Sequence, residues 1–261
     1  MTNFPAVHAR GLLKQYGEHR AVDHLDLVVP AGEFFGFLGP NGAGKTTTIR
    51  MLTGLLRPDG GEVEVAGVDV AQDPIGVKAR IGVLPEEPVL YERLTGREML
   101  WFAGRLHGLA ADVVEDRSRD LLRLMGLSDP DADKLVVDCS LGMRKKIGLA
   151  AALLHRPRVL FLDEPFNGID AVTSRAIYEV LREAVRGGMT VFFTSHVLEV
   201  AETLCTRLAI IHQGRIRAEG TLDEVRAQVG ADADAPLGEL FVDLVDPGTR
   251  DRAAGLLEWL V

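Results

Sequence analysis

Gly39-Pro40-Asn41-Gly42-Ala43-Gly44-Lys45-Thr46-Thr47 decides how the rest of the chain is read. It fits G-x-x-x-x-G-K-[ST], with Gly39, Gly44, Lys45 and Thr46 at the fixed positions. Just before it, Glu33-Phe34-Phe35-Gly36-Phe37-Leu38 is a short apolar run with the pattern of a buried strand. Just after it, Lys45 to Leu55 reads as a helix that ends near Gly54. Strand, glycine-rich loop and helix start, in that order, make a receptor for a phosphate chain. Glycines let the backbone curl until several N–H groups face one point. The helix start adds its partial positive charge. In such a loop Lys45 bridges the β- and γ-phosphates, the Thr46 hydroxyl ligates Mg²⁺, and Thr47 reaches towards the α-phosphate. The loop implies a nucleoside triphosphate, without choosing between ATPase, GTPase and kinase.

Composition narrows the setting. At 261 residues the chain suits one large α/β domain, or one with an inserted subdomain. A formal net charge of −9 weighs against nucleic acid as a partner, because such binders carry basic surfaces. Cys139 and Cys205 lie far apart, with neither metal-ligand spacing nor a disulfide framework, and read as partly buried thiols of a reducing compartment. The start of the chain lacks the charged-then-apolar pattern of a signal peptide. No apolar run approaches the roughly 18 residues of a membrane span, so a pore would have to come from a separate chain.

Val7 to Tyr16 and Ala21 to Val29 read as strands joined by a turn at Gly17-Glu18, and Glu62 to Val65 as another. Together they suggest an antiparallel layer near the nucleotide. Tyr16, at a strand end, serves either packing or stacking on a base. Ile81 to Leu84 is a buried strand, followed by the extended acidic linker Pro85-Glu86-Glu87-Pro88. Thr95-Gly96-Arg97-Glu98 is a capping box with Leu94 and Met99 placed as a hydrophobic staple, so a helix runs from Gly96 to about Gly108. Asp112 to Met125 repeats an apolar face at Val114, Leu121, Leu122 and Met125, and Gly126 ends it. These helices belong to an insert over about residues 88–150.

Ser140-Leu141-Gly142-Met143-Arg144-Lys145-Lys146 opens the next helix with Ser140 as N-cap. It is either an ordinary capped helix or a second anion site, since a basic first turn opposes the helix dipole and an anion would relieve it. Arg158 to Glu164 is a continuous apolar run ending in two acids, the pattern of a central parallel strand. Asp163 is placed to hold Mg²⁺, directly or through water, facing Thr46 from a neighbouring strand. Glu164 falls at the carboxyl edge, where open α/β sheets bind ligands, and can polarise a water against the γ-phosphate. Asp170 caps a helix from Ala171 to Arg186 that stops at Gly187-Gly188. Thr190 to Thr194 is the next buried strand, and His196 follows at the same edge as Asp163 and Glu164. A lone histidine is commonly structural; this position suits a γ-phosphate contact. Arg207 to His212 reads as a last core strand, and Thr221-Leu222-Asp223-Glu224 as a second capping box. Ala231 to Ala235 reads as a flexible link, and Leu237 to Val245 and Ala253 to Val261 as short packed elements.

The order of these motifs resembles the ATP-binding subunit of ABC transporters over about residues 5–220. The resemblance implies an α/β fold: a P-loop NTPase core with an antiparallel β subdomain and an inserted helical subdomain. It implies an ATPase domain over 1–220 and a short C-terminal extension over 221–261. Tyr16 would be the adenine-stacking aromatic. Gly39, Pro40, Asn41, Gly42, Ala43, Gly44, Lys45, Thr46 and Thr47 would be the Walker A loop. Ile81 to Glu86 would lead into the Q-loop, with Glu86 near the metal. Ser140 to Arg144 would be the signature, with Ser140 and Gly142 facing phosphate. Val159 to Asp163 would be Walker B, Glu164 the catalytic glutamate, Asn167 to Asp170 the D-loop with Asp170 near the nucleotide, and His196 the switch histidine. Such subunits use ATP and Mg²⁺ and work in pairs, each ATP lying between the Walker A loop of one and the signature of the other. They dock on a separate transmembrane permease at the cytoplasmic face of the membrane; the segment from Glu86 to Tyr91 and the helices after it would receive that partner.

Two departures stand out. Glu86 replaces the usual glutamine and cannot donate an amide N–H. Leu141 and Met143 stand where the common signature has Gly and Gln. The pattern S-L-G-M-R, with L-P-E-E-P, looks like exporters whose membrane subunit is encoded separately. A soluble ABC-type ATPase acting on ribosomes or DNA is the rival, but those usually carry two nucleotide domains or a long coiled coil. A P-loop GTPase would need an N-K-x-D motif, which the sequence lacks.

Overall fold

Apolar patterning sorts the strands into two sheets that share a core. A computed structural model describes residues 4–232 and 234–246. Val7–Tyr16 (β1) and His19–Val29 (β2) precede Phe34–Leu38 (β3), and Lys45–Leu52 (α1) follows the glycine-rich loop. Gly60–Val65 (β4), Val68–Asp69 (β5) and Pro74–Lys78 (α2) lead to Ile81–Leu84 (β6). Then come four helices, Gly96–Leu106 (α3), Ala111–Leu124 (α4), Asp129–Ala132 (α5) and Leu141–Leu153 (α6). Strand and helix next alternate through Val159–Leu162 (β7), Ala171–Arg186 (α7), Thr190–Ser195 (β8), Leu198–Leu204 (α8) and Arg207–His212 (β9). Arg215–Gly220 (β10), Leu222–Val229 (α9) and Leu237–Val245 (α10) follow.

The antiparallel sheet has the order β2-β1-β4-β5, and the larger one β10-β9-β3-β8-β7-β6. The larger sheet is parallel except for β10, which runs against β9. Every residue of β3 is buried, because each face meets a different core. Phe35 and Phe37 join Phe161 and Phe192 between the two sheets, and Phe35 stacks on Phe192 at 5.5 Å. Phe34 and Leu38 face the helices, with Leu100, Val114, Leu122, Ile147 and Ile177. A sheet covered on both faces explains the unbroken apolar runs.

The register brings three strand ends level. Leu38 of β3 pairs with Ser195 of β8, and Leu162 of β7 pairs with Phe193. The glycine-rich loop, Asp163-Glu164 and His196 therefore leave the sheet at one edge.

Two expectations need correction. The strand carrying Asp163 is not a neighbour of β3, since β8 lies between them. Crossovers in a parallel sheet can skip a place, and β8 fills it. The ends of the expected link at 231–235 are held: Arg226 Nε donates to the Ala235 carbonyl at 3.0 Å, and Ala231 and Ala235 pack on the core. Short elements such as α2, α5, α8 and β5 went unread because a few residues carry no periodicity. The expected element at Ala253 to Val261 lies outside the described residues.

Candidate functional site

Backbone crowding explains the glycines of the loop. A Cβ at Gly39 would meet the Ile211 carbonyl oxygen at 2.5 Å, and one at Gly44 the Ala21 carbonyl oxygen at 2.3 Å. Gly44 also has φ 108°, which disfavours any L side chain. The loop is thus wedged against β2 and β9. No side chain caps α1, which leaves its first N–H groups to a ligand.

The loop forms one wall of a cleft of about 540 Å³. Pro40, Asn41, Gly42, Gly44, Lys45, Thr46 and Thr47 come from the loop and α1. Tyr16, His19 and Ala21 come from the antiparallel sheet, and Glu86, Glu164, Asn167 and His196 from the segments beyond β6, β7 and β8. Tyr16 is half-exposed at the mouth, with Lys14 Nζ 5.7 Å from its ring centroid. Gly39 and Ala43 do not line this cleft.

Three polar side chains, those of Lys45, Glu164 and His196, converge in it. Lys45, only 6% exposed, donates from Nζ to the Gly39 carbonyl at 2.6 Å and the Pro40 carbonyl at 3.3 Å. Its Nζ also lies 3.2 Å from Glu164 Oε1. Glu164 Oε2 lies 3.0 Å from His196 Nδ1 and accepts from the His196 backbone N–H at 3.4 Å. Glu164 itself is 6% exposed, with φ 45°. Its Oε1 has charge contact with Lys45 but no aligned hydrogen bond, so a buried acceptor remains unused at the cleft wall.

Asp163 is buried behind that wall. Its Oδ1 accepts from Thr194 Oγ1 at 2.6 Å, and the same Thr194 oxygen accepts from the Glu164 N–H at 3.0 Å. Sequence reasoning did not single out Thr194. Its one signal is a hydroxyl inside an apolar strand. Asn167, at the start of the expected D-loop, enters the cleft, and its Nδ2 donates to Glu86 Oε1 at 2.8 Å.

Ser140, Gly142 and Asp170 are not brought to this cleft. Ser140 is exposed and caps α6, its Oγ accepting from the Met143 N–H at 3.2 Å. Asp170 caps α7, accepting from the Val172 and Thr173 N–H groups at 2.9 Å and from Thr173 Oγ1 at 2.8 Å. The bonds from Thr173 hold its carboxyl below the ordinary range. The basic start of α6 is divided, because Lys145, in its second turn, is buried and turns inward to carbonyls rather than outward to an anion.

Thr46, Asp163 and Glu86 offer hard oxygen donors. Among the described residues no cluster of three or more His, Cys, Asp or Glu could hold a metal alone. That donor set fits Mg²⁺, which takes one or two carboxylates and completes its shell with phosphate and water.

Residues 22–167 match the ABC transporter family. The chain belongs to it. This ABC transporter cassette is 44% identical to the daunorubicin resistance ATP-binding protein DrrA3 of Streptomyces coeruleorubidus, over 97% of this chain and 78% of that protein. It is 38% identical to the linearmycin resistance ATP-binding protein LnrL of Bacillus subtilis (strain 168), over 87% of this chain and 72% of the other. A solved ATP-binding subunit of an ABC transporter superposes with a TM-score of 0.86 at 34% identity, covering 92% of this chain and 99% of that one. The dimeric cassette MJ0796 bound to ADP and Pi shares the fold, with a TM-score of 0.76 at 23% identity, over 83% of this chain and 98% of its own. This ABC cassette is an ATPase. Among its described residues no helix is long and apolar enough to cross a membrane.

Proposed function

We propose that this cassette binds ATP in the cleft at the carboxyl edge and hydrolyses it to drive export through a separate membrane subunit. The observation that carries the chemistry is the convergence of Lys45, Glu164 and His196. Among the described residues, Lys45 Nζ meets the Gly39 and Pro40 carbonyls and Glu164, and a phosphate chain along the loop would offer it stronger acceptors. The unused Oε1 of Glu164 accepts the proton of a water placed against the γ-phosphate. His196 orients that carboxylate through Oε2 and, with Lys45, faces charge on the transferred phosphoryl group. Tyr16 at the mouth stacks on the adenine. Thr46 and Asp163 would hold Mg²⁺, with Glu86 beside them; the ion supplies neutralisation of phosphate charge.

Ser140 and Gly142 start a helix away from their own cleft, which supports a pair in which each signature faces the partner copy's ATP. Asp170 stands at the same junction. Beside β6 an apolar groove of about 460 Å³ runs past Leu55, Val83, Pro88, Val89 and Ala103. Val89 is 92% exposed, and Tyr91 and Trp101 are exposed nearby, which supports docking of the membrane subunit here, at the cytoplasmic face. Relatives named for drug resistance support export. The acidic balance of −9 speaks against the ribosome- or DNA-acting reading.

The test is affinity capture of Glu164→Gln from gently solubilised membranes of the source cells, with ATP present. This variant is expected to keep ATP and to lose turnover by about 10²-fold or more, since general-base catalysis contributes about 10²–10⁴-fold. A polytopic membrane protein in equimolar amount is expected with it. Recovery of ribosomal or DNA-bound proteins without a membrane partner would replace the transporter reading.

A further inference from the structure

Lys145 is 1% exposed, and the mechanism above does not use it. It lies in the second turn of α6, the helix that Ser140 caps. Its Nζ donates to the carbonyls of Glu164 at 3.0 Å, Pro165 at 3.3 Å and Asn167 at 2.7 Å. Three ammonium protons thus meet three backbone acceptors, all in the segment that leaves β7 with the catalytic carboxylate.

We propose that Lys145 is a positioning residue for hydrolysis: by gripping the backbone of residues 164–167, it sets where the Glu164 carboxylate meets the attacking water. The inference rests on the reading of Glu164 as general base. Three observations support it. Glu164 has φ 45°, a left-handed conformation that a side-chain-bearing residue holds only when its surroundings impose it. The gripped segment also carries Asn167, whose amide holds Glu86, so one ammonium fixes the footing of two carboxylates lining the cleft. An ammonium is also a costly choice for this place. Burial pushes the Lys145 amine below its ordinary value, against the charges of Glu86 and Glu164, whereas Ile147 and Leu149 fill the same helix with apolar groups at no such cost. A shift of about 1 Å in a positioned group costs about 10²-fold in rate, so a support of this kind is felt in kcat.

The experiment compares Lys145→Met, which keeps length and removes the donors, with Lys145→Gln, which keeps amide donors, in the full chain. Steady-state ATP hydrolysis, nucleotide affinity and the thermal unfolding midpoint are measured for each. Lys145→Met is expected to lower kcat about 10-fold with KM for ATP and nucleotide affinity within about 2-fold of the parent, and Lys145→Gln to lose about 3-fold. In a Glu164→Gln background, Lys145→Met is expected to cost no further turnover, because the group it positions is gone. A Lys145→Met enzyme within about 2-fold of parental kcat would overturn the inference, as would a rise in KM equal to the loss in kcat, or an undiminished loss in the Glu164→Gln background. Should Lys145→Met not fold, Lys145→Gln decides: a lowered kcat at parental KM supports positioning, and parental kcat or an equal rise in KM removes it. Glu164→Gln assayed alone separates the two readings. If it turns over like the parent, the general-base assignment fails; if it is inactive while Lys145→Met is parental, only the role of Lys145 fails.

Discussion

Thr194 joins two working groups with one hydroxyl, donating to Asp163 and accepting from the Glu164 N–H. Replacing it by Val keeps the shape and leaves a buried carboxylate oxygen and a buried N–H without partners. Each unsatisfied group costs about 1–3 kcal/mol, so Thr194→Val is expected to lose about 2–6 kcal/mol of unfolding free energy, read by urea denaturation. Turnover should fall with it, while Thr194→Ser should recover most of both. Parental stability in Thr194→Val would mean that the hydroxyl bridge is not maintained in solution. At this scale the sequence was legible where spacing is fixed by the ligand's own shape. The phosphate-loop residues and Lys45 lie in one run, and Glu164 follows a strand whose apolar pattern points at the same edge. The bridge at Thr194, the bond from Asn167 to Glu86 and the grip of Lys145 were opaque for a shared reason. Their partners are backbone groups or side chains from other elements, and a hydroxyl, an amide or a lysine looks the same in sequence whether it meets water or a distant carbonyl.

Helix starts were readable because caps are local. Thr95 with Glu98 and Thr221 with Glu224 both close reciprocal capping boxes, and all four residues of each box are consecutive in sequence. Strand order was not readable, because which parallel strand lies between β3 and β7 depends on crossovers spanning whole helices. The junction of α3, α6 and β6 carries a testable consequence of such packing. His107 ends α3, His155 follows α6, and their rings stack at 3.7 Å with 6° between planes. His155 Nε2 lies 2.9 Å from the Ile81 carbonyl oxygen. Burial first, then the neighbouring His107, holds His155 down to about 4. The unfolded chain takes a proton at this residue near pH 6.5, and the folded chain only near 4. Between these values acid favours the unfolded state, so stability should decline as pH falls from about 6.5 to about 4, by about 1–2 kcal/mol once the partial exposure of the ring is allowed for. His155→Phe keeps a ring in the stack and removes the titration. Its unfolding midpoint should be lower than the parent's at pH 7 through loss of the Ile81 bond, yet flatter with pH. An equally steep decline in that variant would assign the acid sensitivity to other groups.

At the scale of the whole molecule, one chain supplies a cleft whose walls include Lys45, Glu164 and His196 but not Ser140, Gly142 or Asp170. A helix start with an exposed serine, Arg144 and Lys146 in its first two turns and no acidic residue in its own first turn favours an anion. A second copy carrying ATP would supply one. Glu164→Gln, which holds ATP without consuming it, is expected to double in mass with ATP by light scattering and to stay single with ADP. Adding Ser140→Arg puts bulk and positive charge at the joint. The double variant is expected to remain single with ATP, while its nucleotide affinity as a single chain stays within about 2-fold of Glu164→Gln, because Ser140 does not line that chain's cleft. Loss of the Ser140 cap should cost only about 1 kcal/mol of stability, too little to unfold a domain of this size. Unimpeded doubling in the presence of Ser140→Arg would remove the signature from the interface. Doubling lost together with nucleotide affinity would instead place Ser140 in its own chain's site, so the two measurements together decide which copy each ATP shares.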